Sequence, residues 1–203
     1  MTIAQRISRR LRYGKPIIIV SGLPRSGTSM LMHMLLEGGV PLLSDGGRPA
    51  DESNPHGYFE YEPVKGLENN RDVSWLFDAR GKAVKVISFL LTWLPETFNY
   101  SVIFMQRNLD EIIASQHEML EKREEAVDRG DAARIRAVYA NHLNEVERLL
   151  ARRSCFRSLS VSHRDTIENP EQQARRISLF LGQSLDVSRM AAIVDPQLYR
   201  MRH

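Results

Sequence analysis

The residues Gly22-Leu23-Pro24-Arg25-Ser26-Gly27-Thr28-Ser29 join an Ile-rich apolar run, Pro16-Ile17-Ile18-Ile19-Val20-Ser21, to the apolar Met30-Leu31-Met32. A buried strand, a glycine-bearing loop and a helix N-terminus in that order form a cradle for a phosphate-like anion. Successive backbone N–H groups and the helix dipole converge on one point there. The Gly22-x-x-x-x-Gly27 spacing is that of loops that bind ATP, yet Thr28 stands where those loops place a lysine for the outer phosphates. Arg25 is the only cation inside the loop. The pattern predicts an anion binder that does not cleave ATP.

A second group follows the run Val102-Ile103-Phe104-Met105-Gln106. Arg107 leaves what reads as the carboxyl end of a strand, where open α/β sheets bind ligands. Ser115 comes about two turns into the next helix and can face the same crevice. An Arg and a Ser converging there can grip a second phosphate. Alone, the pair also fits a surface ion pair and a small helix-packing residue; beside the first loop, a phosphate site is the reading we adopt.

The elements that must position these groups follow from periodicity and stop signals. Strands are expected at Pro16–Ser21, Lys82–Ser88, Ser101–Gln106 and Arg157–Ser162. Helices are expected at Thr28–Glu37, ended by Gly38-Gly39, at Lys65–Phe77, and from a cap at Asn108 or Asp110 to Lys122. Further helices are expected at Ala132–Arg152, Glu171–Leu181 after Asn169-Pro170 and before Gly182, and Asp186–Val194. Phe89–Pro95 reads as a short helix, Arg123–Asp131 as a charged break, and Pro41–Pro63 as a long Gly-, Pro-, Asp- and Asn-rich loop of the functional kind. The strand–helix alternation predicts an α/β fold with a central parallel sheet and helices on both faces. The 203 residues suit one domain, 1–203, with a basic N-terminal arm over 1–14.

The chain is 42% hydrophobic and 26% charged, as is ordinary for a soluble protein, and its formal net charge of +3 suits an anionic small molecule but is too small to argue for nucleic acid. Arg outnumbers Lys, which favours bidentate contacts to anions. One cysteine, Cys155, excludes an intrachain disulfide and a Cys-based zinc site, and reads as a structural thiol. No apolar stretch has the length of a membrane span. With no secretory signal pattern, a cytoplasmic location is expected. The arm Gln5-Arg6-Ile7-Ser8-Arg9-Arg10-Leu11-Arg12 reads as a frayed solvated segment, with contact to a membrane or a partner subunit as the alternative.

Pro24-Arg25-Ser26-Gly27-Thr28-Ser29 resembles the 5′-phosphosulfate loop of sulfotransferases, and the run from Ile103 through Arg107 to Ser115 resembles their 3′-phosphate motif. Val161-Ser162-His163-Arg164-Asp165, Glu168-Asn169-Pro170-Glu171 and Phe180-Leu181-Gly182 are similar to the matching stretch of that family. The resemblance runs from about residue 17 to 200 and is nearest to small bacterial sulfotransferase-like proteins. It implies a P-loop NTPase-like three-layer fold that binds 3′-phosphoadenosine 5′-phosphosulfate (PAPS). It also implies transfer of the sulfuryl group to a hydroxyl or amine of a small-molecule or carbohydrate acceptor, with PAP as product and no metal. By resemblance, Pro24, Arg25, Ser26, Gly27, Thr28 and Ser29 hold the 5′-phosphosulfate, with Arg25 also catalytic, and Arg107 and Ser115 hold the 3′-phosphate. His163 stands where many members carry a nucleotide-side Tyr; lining the adenine site and an ordinary surface His remain alternatives.

Three departures from the family pattern bear on catalysis. Arg25 replaces the Lys of many cytosolic members, as in the carbohydrate and protein-tyrosine types. Lys85-Val86-Ile87 replaces the Lys-Thr-His that supplies a catalytic His. The closing Arg-Lys-Gly segment is missing, with Arg200 and Arg202 as substitutes. A base is therefore sought in the long loop. Asp45 lies where the carbohydrate and protein types place a catalytic Glu; Glu60, then Glu62, follow. Any of these carboxylates facing the acceptor hydroxyl would serve as general base, although Asp45 before Gly46-Gly47 also reads as a turn residue. His33 reads as structural, and His117 and His142 as helix-surface residues. Tyr58, Phe59, Tyr61, Trp75 and Trp93 divide between an acceptor pocket and the core. The rivals to sulfuryl transfer are a non-catalytic PAP-binding relative and, less favoured, a P-loop kinase.

Overall fold

A computed structural model describes residues 3–46, 57–69, 72–122 and 132–195. Its centre is a parallel sheet of β1 (Ile17–Gly22), β2 (Ala83–Lys85), β3 (Tyr100–Gln106) and β4 (Phe156–Ser162), in the order β2-β1-β3-β4. Parallel strands with both faces covered need apolar residues at successive positions. That is why Ile17-Ile18-Ile19-Val20 contains no alternation, and all four side chains are buried. Each such aliphatic contributes about 1.5–3 kcal/mol on burial. The register sets Gly22 opposite Met105, and Met105 opposite Val161.

Two cores separate by the period of the strand. Ile17, Ile19, Val102 and Phe104 point to one face, where they meet Val146 of a long helix, α5 (Ala132–Arg152), and Leu90 and Leu91 of a 3-10 segment, Ser88–Trp93. Ile18, Val20, Ile103 and Met105 point to the other. There they pack on α2 (Thr28–Glu37), α7 (Pro170–Leu181) and α8 (Val187–Ala192). The result is the expected three-layer α/β fold with helices on both faces. The helix α4 (Leu109–Lys122) follows β3 and packs against α5. No helix among the described residues is long and apolar enough to cross a membrane.

Several boundaries coincide with the sequence expectation because their stop signals are local. α2 and α5 have the expected limits, and α7 ends on Gly182 in the left-handed conformation at φ 65°. Asn108, rather than Asp110, caps α4: its Oδ1 accepts from the Asp110 N–H at 2.8 Å. Other expectations are corrected. The second strand is three residues long, because the chain turns into the Ser88–Trp93 helix. The single helix expected at Lys65–Phe77 is instead a 3-10 helix, Glu62–Asn69, and a turn of α-helix, α3 (Trp75–Asp78). Residues 163–168, left without an element by sequence, form α6 (His163–Glu168), capped by Ser162 Oγ, which accepts from the Asp165 N–H at 3.1 Å. The charged break 123–131, Arg200 and Arg202 and the middle of the long loop, 47–56, lie outside the described residues.

The N-terminal arm is not a frayed segment. It forms α1 (Ile3–Tyr13), and Arg9 fastens it to the body. Arg9 Nε donates to Asn99 Oδ1 at 3.0 Å, and Nη2 donates to the carbonyls of Glu96 (2.7 Å) and Phe98 (3.0 Å). Asn99 Nδ2 returns bonds to the carbonyls of Arg9 and Gly14. Sequence could not show this, because the helix docks through Arg9 and its backbone rather than through an apolar face. Asn99→Ala removes three of these bonds and is expected to cost roughly 1–3 kcal/mol. Faster amide exchange confined to α1 would be the signature; unchanged exchange would mean that other contacts hold the helix.

Candidate functional site

All four strands end on one side, and the groups singled out by sequence gather there. The loop after β1 is built around two close approaches. A Cβ on Gly22 would sit 2.4 Å from Ser26 Oγ and 2.8 Å from the Met105 carbonyl, so only glycine lets β1 run this close to the end of β3. Gly27 has φ 101° and precedes α2, and a Cβ there would sit 2.4 Å from His163 Cδ2. Arg25 adopts φ 70°, a conformation unusual for a residue with a side chain.

The loop presents unsatisfied donors. Gly27 occupies the N-cap of α2 and supplies no side-chain cap, so the first N–H groups of that helix are left for another acceptor. The hydroxyls of Ser21 and Ser26 are buried without a hydrogen-bond partner. A polar group left so costs about 1–3 kcal/mol. An uncapped helix start with the buried Ser26 hydroxyl in the loop before it is the environment an oxyanion satisfies. Thr28 and Ser29 open the helix half-buried, and Pro24 lies half-buried in the loop.

Arg107 and Ser115 reach this loop from β3 and α4. Arg25 Nε donates to Ser115 Oγ at 3.0 Å, and Arg107 Nη1 donates to the Arg25 carbonyl at 3.1 Å. The two anion positions inferred from sequence are therefore contiguous, with Arg25 and Ser115 as the link. Ser115 is buried, as a small helix-packing residue is, and its hydroxyl also accepts from Arg25. Arg107 also donates from Nε to Glu111 Oε2 at 2.8 Å, and these side chains are 11% and 17% exposed. Glu111 was not singled out by sequence; its i,i+4 spacing from Arg107 was the available signal. The pair fixes the guanidinium plane and leaves its other edge to the loop.

His163 packs on the far side of the loop, against Gly27, and is 7% exposed, which removes the surface-His alternative. Burial pushes its pKa down to about 4, with the Arg107 charge adding to the effect and Glu111 opposing it. A histidine with a depressed folded-state value stabilises the fold above its ordinary pKa near 6.5. That contribution is lost as pH falls from about 6.5 toward 4. Thermal unfolding should therefore drop more steeply over this window in the wild type than in His163→Gln. Parallel curves would mean that His163 does not govern acid stability.

The acceptor side is organised differently. Asp45 is exposed, and its Oδ2 accepts from the Glu62 N–H at 2.5 Å, starting the Glu62–Asn69 helix; its own N–H donates to the Glu60 carbonyl. Glu62 pairs on the surface with Lys65 at 2.6 Å. Glu60 is half-buried, with Oε1 4.0 Å from Lys85 Nζ at the end of β2. Lys85 also donates to the Tyr58 carbonyl. Its side chain is almost wholly buried beside β1, a placement the sequence reading did not give it.

The aromatics divide. Tyr58 and Trp75 are buried, Tyr61 packs edge-on to Trp75, and Phe59 lies near His33, whereas Trp93 is exposed. His33 lies half-buried on α2, 4.0 Å from Glu37. His117 is half-buried, and His142 is not a plain surface residue: it stacks on Phe89 at 3.9 Å and shares a 2.9 Å hydrogen bond with Ser88 Oγ. Cys155 is buried and its thiol is pushed up to about 11, chiefly by burial and secondarily by Glu96, as a structural cysteine requires. Among the described residues no group of three or more His, Cys, Asp or Glu could hold a metal ion.

Solved structures share this fold. The sulfotransferase domain from the curacin biosynthetic pathway is similar over 91% of this chain and 89% of its own length, at 14% identity and a TM-score of 0.53. That of the Synechococcus PCC 7002 olefin synthase matches 93% of this chain and 83% of its own, at 16% identity and 0.51. The sulfotransferase STF1 from Mycobacterium tuberculosis matches 93% of this chain and 73% of its own, at 18% identity and 0.57. At these identities the likeness is one of fold. No protein-family profile and no curated protein matches the sequence.

Proposed function

We propose that this protein is a PAPS-dependent sulfotransferase. The observation that carries the reading is the uncapped start of α2 with the buried Ser26 hydroxyl in the loop before it, joined through Arg25 and Ser115 to Arg107. PAPS has two anionic ends, and its chemistry when bound is to present a sulfuryl group on a phosphate leaving group. The donors fit such a ligand: backbone N–H groups and the Ser26 hydroxyl for one end, Ser115 and Arg107 for the other. Thr28 in place of lysine disfavours ATP. The fold shared with sulfotransferase domains supports the same class.

In this reading the chain works by position and fixed charge. The loop N–H groups and Arg25 face the oxygens on which negative charge grows during transfer, where pre-oriented donors have most effect. Ser115 holds the Arg25 guanidinium, and Arg107 holds the loop backbone at the Arg25 carbonyl. His163 excludes water from behind the loop. Of the carboxylates, Glu60 is the better general base: it lies beside Lys85 at the strand ends, whereas Asp45 is committed to the Glu62 N–H. Glu60 would take the acceptor's proton as the new S–O or S–N bond forms and the bond from sulfur to the 5′-phosphate oxygen breaks, with PAP as the leaving group. A cytoplasmic location and a small-molecule or carbohydrate acceptor complete the proposal.

Calorimetric titration with PAP, against ADP plus magnesium, tests the reading. Selective PAP binding is expected, with Arg107→Ala weakening it by about a hundredfold through loss of a charged hydrogen-bond donor and of the loop's support. Preference for ADP, or no binding of either, would overturn the assignment. PAP binding without turnover across a broad acceptor screen would instead indicate the non-catalytic relative.

A further inference from the structure

α1 docks the wrong way round for an ordinary amphipathic helix. Its inward residue is Arg9, held by Asn99 and the carbonyls of Glu96 and Phe98. At about 100° per residue, Ile7 and Leu11, two positions either side of Arg9, fall on roughly the opposite face. They are 57% and 84% exposed. Together with Ala4, Ser8 and Arg12 they line a shallow apolar groove that no described part of the chain covers. Arg10 and Arg12 are also exposed, and α1 holds four arginines and no acidic residue.

We propose that this outward stripe seats α1 on an anionic lipid surface. An apolar strip flanked by arginines, with low overall hydrophobicity, is the composition of a helix that lies in a membrane interface. The apolar residues enter the acyl boundary, and the arginines meet the head-group charge. A second copy of the helix is a poorer occupant, because a symmetric contact sets Arg10 and Arg12 against each other. The geometry suits a surface-bound enzyme. Arg9 contacts the segment just before β3, at the amino end of the sheet, whereas the site loop lies at the carboxyl end. Seven residues of β3 separate the two by about 20 Å. A molecule resting on α1 keeps its crevice open to solution.

Co-sedimentation of the full chain with vesicles tests this. Binding should be about tenfold or more stronger to phosphatidylcholine mixed with phosphatidylglycerol than to phosphatidylcholine alone, and should fall at high salt. Ile7→Glu/Leu11→Glu should abolish it, and Arg10→Gln/Arg12→Gln should weaken it about tenfold. Both variants should keep the far-ultraviolet circular dichroism and PAP affinity of the parent, since these side chains are exposed and distant from the loop. No sedimentation with anionic vesicles would overturn the proposal and leave an acidic protein as the occupant. Equal binding to neutral vesicles, or binding kept by the double glutamate variant, would overturn it too. So would a light-scattering mass of a dimer that this variant returns to monomer, since the face would then be covered by a second copy.

Discussion

On the proposed function, Arg25→Ala is expected to lower sulfuryl transfer about a hundred- to a thousandfold in kcat, the usual loss when a pre-oriented donor to developing charge is removed. The effect should fall on kcat more than on the KM for PAPS, because the loop N–H groups and hydroxyls still bind the ground state. Ser115→Ala leaves the guanidinium in place but loose, and should cost only about two- to tenfold. Arg25→Lys keeps the charge but cannot donate to Ser115 in the same plane, so it should lie between the two. Arg25→Gly removes the side chain together with the left-handed strain at φ 70°, so its loss of turnover cannot be assigned to a distorted loop. Steady-state rates of all four variants decide the matter. An unchanged kcat in Arg25→Ala would remove Arg25 from the catalytic role.

Gly27→Ala is the second large effect, and it acts on the fold and the site together. At φ 101° an alanine is strained, and its Cβ meets the ring of His163 at 2.4 Å. His163 is buried and begins α6, so the ring has little room to withdraw. The expected destabilisation is roughly 2–4 kcal/mol. PAP affinity should fall as well, because moving residue 27 displaces the start of α2. The cause can be separated by a cycle with His163→Ala. If the ring is the obstacle, the double variant recovers about 1–3 kcal/mol relative to the sum of the single changes. Strict additivity in denaturant unfolding would show that backbone strain alone is responsible.

Both predictions depend on neighbours distant in sequence, and that separates what was legible from what was not. The strand–loop–helix unit was legible because it is a local device. Gly22, Gly27 and the Ile run on one side and the helix start on the other are contiguous, and their conformations follow from residue type. The α/β class was legible for the same reason. The unalternating Ile17–Val20 run requires two covered faces, and α2, α5 and α7 carry their own stop signals or charge pattern. Where the local signal was thin, the reading failed. α6 follows β4 without a break, and Glu62–Asn69 begins on a carboxylate, Asp45, seventeen positions earlier.

By itself the sequence determined the strand–loop–helix unit, the two-faced sheet, the absence of a lysine at position 28, and the spacing of Arg107 and Ser115 on one strand end and the next helix. These depend on steric preference, period and composition, which act over a few residues. Only the tertiary structure decided that Arg25 and Ser115 touch, that Arg107 is tied to Glu111 and the loop carbonyl, and that His163 closes the back of Gly27. It alone assigned Asp45 to the backbone, set Glu60 beside Lys85, and turned the apolar side of α1 outward. Apart from the i,i+4 pair of Arg107 with Glu111 and the outward turn of α1, these are contacts between segments up to 136 positions apart, as between Gly27 and His163, and such contacts are set by strand order and register, which residue type does not encode locally.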